Sequence, residues 1–238
     1  MLSLNSRKEL ELKINGKIYL ICYISLFFLL WTLYISVVLP VVKNSLFYFY
    51  DIFKLLIWTL PVFMFLKYEK VDALSYLKLK SNGEKCIKWA ILISLFFIGY
   101  QIIGHLVVLQ EAKFNPFFDL DKWIKGVILV GFTEEILFRG FFLQRIASYT
   151  RFGFANIITS ILFLLIHFPG WFALNEFPAG TFLKISLFVF VFIFSIVQGY
   201  VLKKTESLWV CIVIHSINNF MSYSLGGWLQ SGENSQVE

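Results

Sequence analysis

The chain has 238 residues, 58% of them apolar and 19% aromatic, with only 15% charged and a formal net charge of +6. A mean hydropathy of +0.75 excludes a soluble globular domain and points to a polytopic membrane protein. Basic loops and attraction to anionic lipid account for the positive balance, so no nucleic-acid partner is called for.

Crossing a hydrocarbon core of about 30 Å takes about 20 residues of helix. In chain order such segments lie near 18–40, 46–66, 89–110, 123–146, 155–174, 181–202 and 207–229, which predicts an all-α transmembrane bundle of about seven spans. The first follows a polar stretch with no small-x-small cleavage pattern after it, and reads as an uncleaved anchor. The second carries Asp51 and Lys54 near one end. Tyr68 to Lys88 is the longest polar connection. Within it, Val71 to Lys80 spaces apolar and basic residues like a short interfacial helix, closed by the turn signal Ser81-Asn82-Gly83. His105 in the third span reads as a hydrogen-bonded core residue. The fifth span is interrupted at Pro169-Gly170.

Lys and Arg accumulate on the cytoplasmic side of membrane proteins. With the N-terminus inside, the cytoplasmic segments hold 14 cations against five opposite, and the tail Ser231 to Glu238 holds none. The expected orientation is therefore N-terminus cytoplasmic and C-terminus outside. Cys22, Cys86 and Cys211 form neither a disulfide framework nor a metal-ligand spacing.

Chemistry is concentrated in the C-terminal half, and the first three spans read as scaffold. Glu134, Glu135 and Arg139 sit inside the apolar run Val127 to Leu143. At the centre of a lipid-immersed helix each such charge costs roughly 2.5–3.5 kcal/mol, so all three must face protein or water. Residues four apart share a helix face whereas neighbours diverge by about 100°. Glu135 and Arg139 therefore pair, and Glu134 is left free for chemistry. The following spans carry Phe163-x-x-x-His167 and His215-x-x-x-Asn219, the latter pair also sharing a face. At about 1.5 Å per residue, Glu134 and His215 both lie roughly 16 Å from the cytoplasmic edge and His167 roughly 20 Å, so the three can meet in one layer. A desolvated glutamate in that layer suits a general base.

Glu134-Glu135-x-x-x-Arg139, Phe163-x-x-x-His167 and His215-x-x-x-Asn219, in this order on consecutive hydrophobic segments, resemble the three motifs of the CPBP family, the type II CAAX proteases and bacteriocin-processing enzymes. The resemblance covers about residues 123–225. It implies a helical intramembrane endopeptidase, with a membrane scaffold at 1–122, a catalytic core at 123–229 and a short polar tail at 230–238. It also implies that Glu134 and His167 position the attacking water, His215 and Asn219 stabilise the oxyanion, and Glu135, Arg139 and Phe163 support them. The expected partners are the lipid bilayer and a membrane protein or peptide substrate, and the expected setting is a bacterial plasma membrane.

Glu134, His167 and His215 would also make the two-histidine, one-carboxylate set of a catalytic zinc, but the soluble signature His-Glu-x-x-His is absent. A glutamate-activated water is the favoured reading, with zinc as the alternative. The competing function is a non-proteolytic membrane partner, conferring bacteriocin self-immunity or regulating a sensor, that uses the same polar cluster for binding.

Overall fold

The computed structural model describes residues 4–42, 49–80, 84–109, 114–173, 175, 177–178 and 180–225, and every regular element among them is helical. In an apolar chain this is the expected outcome, because a helix satisfies its backbone polar groups internally where no water can. Helix α1, Leu4–Leu33, continues through a π turn at Tyr34–Val38 into Leu39–Val42. Next come α2 (Phe49–Trp58), α3 (Leu60–Tyr68), the single turn α4 (Ala73–Tyr76) and α5 (Glu84–Leu109). Helix α6 covers residues 120–147 and alternates α and π turns. It is followed by α7 (Phe152–Leu165), α8 (His167–Ala173), α9 (Thr181–Thr205) and α10 (Leu208–Ser224).

These helices keep the order of the hydrophobic segments, with α2 and α3 sharing the second and α7 and α8 the fifth. Four stretches among the described residues, Ile14–Val38, Cys86–Val107, Phe152–Ala173 and Thr181–Thr205, are long and apolar enough to cross a membrane. The others fall short for identifiable reasons. Pro61, lacking an N–H, sits at the start of α3 and separates it from α2; α6 carries the charged motif; and α10 has 17 residues. In the fifth segment the break falls at Ile166, ahead of Pro169. This places the proline in the first turn of α8, where its missing N–H would have had no intrahelical partner.

Helix α6 is the axis of the bundle, and every residue of its π stretch Ile136–Leu143 is buried. Around it, Phe27 packs on Trp58 at 5.2 Å and on Phe142 at 6.0 Å between ring centroids, while Phe138 packs on Phe163 at 5.1 Å. Helix α10 lies against α6 at close range: a Cβ on Gly131 would come within 2.7 Å of Ser216 Oγ. Small residues at such crossings let two helices approach in lipid.

The segment predicted as an interfacial helix has only one helical turn, and Leu77 is fully buried in the core. It works as an anchor. Gln144 donates to the Tyr76 carbonyl at 2.8 Å, the Leu208 amide donates to the Lys78 carbonyl at 3.1 Å, and the Trp209 indole donates to the Leu79 carbonyl at 3.0 Å. Lys78 pairs with Glu206, Arg145 pairs with Glu69, and Lys17 stands 5.8 Å from the Tyr149 ring centre. The start of α1, segment 69–80, the α6–α7 turn and the α9–α10 turn thus share one end of the bundle. The predicted turn at Ser81-Asn82-Gly83 and the C-terminal tail lie outside the described residues. His105 is buried, with Nδ1 2.9 Å from the Gln101 carbonyl, as its core reading requires. Cys22, Cys86 and Cys211 form no disulfide among the described residues.

Candidate active site

The α turn Val130–Glu135 lies between two π stretches of α6, Trp123–Leu129 and Ile136–Leu143. Such widened turns recur at functional sites, because they re-aim side chains without ending the helix. Arg139 NH1 donates to Glu135 Oε1 at 3.0 Å, and both side chains are buried. The guanidinium also lies 4.2 Å from the Phe163 ring centre. The same Glu135 oxygen is 2.7 Å from His215 Nδ1. A carboxylate paired with arginine can only accept, so Nδ1 carries the proton and Nε2 is the bare nitrogen of the neutral ring. That nitrogen faces Glu134 Oε2 at 3.9 Å.

Glu134 is buried, and its other oxygen, Oε1, accepts from Lys54 Nζ at 2.9 Å. Lys54 is 3% exposed, and its ammonium lies 4.6 Å from the Trp58 ring centre and 5.9 Å from that of Trp31. The expectation that Glu134 has no ionic partner is corrected: Lys54, from the second hydrophobic segment, supplies one. The signal was only partial. A lysine in an apolar segment calls for a carboxylate, but Asp51 in the same segment was as ready a candidate in the sequence as Glu134.

His167 opens α8, its Nδ1 2.8 Å from the Phe163 carbonyl. A carbonyl only accepts, so here too Nδ1 is the N–H and Nε2 is bare. Its ring packs on Phe163 at 5.0 Å and Trp171 at 5.4 Å. Electrostatically His167 interacts with Glu134, His215 and Lys54, and Glu134 interacts with Lys54, His215 and His167. The helix break that releases His167 is held from α1, where the Trp31 indole donates to the Ile166 carbonyl at 3.1 Å. Phe163 touches Arg139, His167 and His215, so it packs the three motifs together.

Asn219 of α10 faces α6. Its Nδ2 donates to the Gly126 carbonyl at 2.9 Å, tying α10 to α6. Beside it, Gln101 of α5 donates to both the Asn218 carbonyl, at 3.1 Å, and Asn218 Oδ1, at 2.8 Å. No group of three His, Cys, Asp or Glu among the described residues is placed to hold a metal. Lys54 takes Glu134 Oε1 and Glu135 takes His215 Nδ1, which leaves Glu134 Oε2 and His215 Nε2 facing each other. No step below is routed through a metal.

Residues 116–221 match the family model of the type II CAAX prenyl endopeptidases, Rce1-like. The match spans all three motifs, agrees with the CPBP resemblance and supports a CAAX-type intramembrane protease. Lys54, Trp31 and Gln101 lie outside it. No curated protein and no solved structure matches the chain.

Proposed function

We propose that this chain is an intramembrane endopeptidase that hydrolyses peptide bonds of membrane-associated proteins or peptides, with Glu134 as the base that activates water. The observation that carries the reading is the facing pair of acceptors, Glu134 Oε2 and His215 Nε2, 3.9 Å apart. Glu134 Oε2 is buried with no hydrogen-bond partner among the described residues. Two acceptors across such a gap are a seat for a water that donates to both. The surrounding aromatic rings keep bulk water out, which strengthens electrostatic interactions inside the site.

In the proposed reaction the water oxygen bonds to the scissile carbonyl carbon as its proton passes to Glu134 Oε2, and the carbonyl electron pair moves onto oxygen. His167 offers its bare Nε2 as a further acceptor that orients the water. The oxyanion is assigned to His215 and Asn219. His215 becomes a donor at Nε2 by receiving from Glu134 Oε2, 3.9 Å away, the proton taken from the water, as an imidazolium that Glu135 at Nδ1 stabilises, and it hands that proton back to Glu134 as the oxyanion collapses. Asn219 has a second N–H besides the one given to Gly126. Glu134 then returns its proton to the leaving amine.

The bundle end rich in Lys and Arg is assigned to the cytoplasm, in the plasma membrane of a bacterium. A second reading has one observation behind it: the closed Lys54–Glu134 pair and the Glu135–His215 hydrogen bond would equally bind helices together in a non-proteolytic partner. The test is a comparison of cleaved membrane peptides in cells carrying the wild type, Glu134→Ala or His167→Ala at matched protein levels. A set of products present only with the wild type is the expected result, and identical sets would favour the binding role.

A further inference from the structure

We infer that Lys54, on the second hydrophobic segment and outside the matched region, is the positioning residue of Glu134: its ammonium clamps one carboxylate oxygen and leaves the other to work on water. The inference rests on the reading of Glu134 as the base.

The geometry supports a directed role. Lys54 takes Oε1 at 2.9 Å, and the remaining oxygen is the one that faces His215 Nε2. A carboxylate held at one oxygen by a buried, caged ammonium has a fixed torsion, so its working lone pairs have a fixed direction. The cage is itself tied to the site. Trp58 and Trp31 flank the ammonium, and the Trp31 indole is bonded to Ile166, the residue before His167. One aromatic element therefore sets the base and one end of the histidine segment together.

Charge balance gives the same assignment. Two carboxylates, Glu134 and Glu135, are answered by two cations, Lys54 and Arg139. Without Lys54 the cluster would hold one uncompensated negative charge among aromatic rings. The low-cost escape is protonation of Glu134, which removes the base.

This consequence can be read spectroscopically, without a substrate. Infrared difference spectra between each protein and its Glu134→Gln counterpart, purified in detergent at neutral pH, isolate the Glu134 carboxyl. The wild type and Lys54→Arg are expected to show an ionised carboxylate. Lys54→Met is expected to show the carbonyl stretch of a protonated carboxyl, as is Lys54→Gln, which provides the same reading should the methionine variant not fold. A protonated Glu134 in the wild type, or an ionised one in Lys54→Met or Lys54→Gln, would overturn the inference.

The kinetic counterpart uses a quenched farnesylated peptide in the same detergent. Lys54→Met should lower kcat about 100-fold, as expected for a misplaced reacting group, with KM little changed and most of the loss restored in Lys54→Arg. A change in KM alone would contradict a positioning role. If the wild type leaves this peptide intact the protease reading loses support, while the infrared result still decides the Lys54 assignment.

Discussion

At the scale of single residues, the site is a chain of buried ionic groups in which each partner limits what the next can do. Arg139 holds Glu135, Glu135 fixes the tautomer of His215, and Lys54 fixes Glu134. Breaking a buried pair costs more than the pair contributes, because a charge is left unmatched. Glu135→Ala and Arg139→Ala are each expected to lower unfolding stability by about 3–5 kcal/mol, and the charge-swapped double variant should recover part of the loss. Denaturation in detergent checks this, and single variants that unfold like the wild type would refute the pairing. Asn219→Ala separates two roles. As an oxyanion donor its loss should slow turnover about 100- to 1000-fold with little change in KM, whereas a purely structural tie to Gly126 would show as lost stability at nearly normal rate.

At the scale of elements, α6 is suited to the proposed chemistry because its π stretches surround the acidic turn and because α10 can approach it closely. Gly131 provides that approach, since an added Cβ meets both Ser216 Oγ and the Ser216 amide. Gly131→Ala is therefore expected to destabilise the protein. Gly99→Ala on α5, where an added Cβ meets nothing within 4 Å, should be neutral or stabilising by up to about 1 kcal/mol from helix propensity. Thermal melting of the two variants compares them directly, and equal shifts would show that the α6–α10 contact is not tight at Gly131. The helices themselves were legible in the sequence, because apolar length and proline placement act locally. The Glu135–Arg139 pair was legible too, through its four-residue spacing. The Lys54–Glu134 pair joins residues 80 positions apart, and no local period announces such a contact. The tie of Asn219 to Gly126 was equally hidden, because it depends on how closely two helices cross.

At the scale of the whole molecule, the loops predicted to share the cytoplasmic side do share one end of the bundle, joined by Lys78–Glu206, Arg145–Glu69 and Lys17 over Tyr149. The opposite end is marked by the Asn115 amide bonded to the Ser224 carbonyl at 2.7 Å. In a cysteine-free background, Lys204→Cys is expected to react with an impermeant thiol reagent only from the cytoplasmic side, and Phe117→Cys only from the other. Labelling of both from one side would overturn the assigned crossing pattern.

The central claim is that Glu134 activates water for peptide hydrolysis within the membrane, and its most direct test is turnover of a cleaved membrane peptide by purified wild type and Glu134→Gln in the same bilayer. Glutamine keeps the shape and an acceptor for Lys54 but cannot take a proton from water. The account expects the variant to insert and purify like the wild type with cleavage abolished; turnover at the wild-type rate would contradict it.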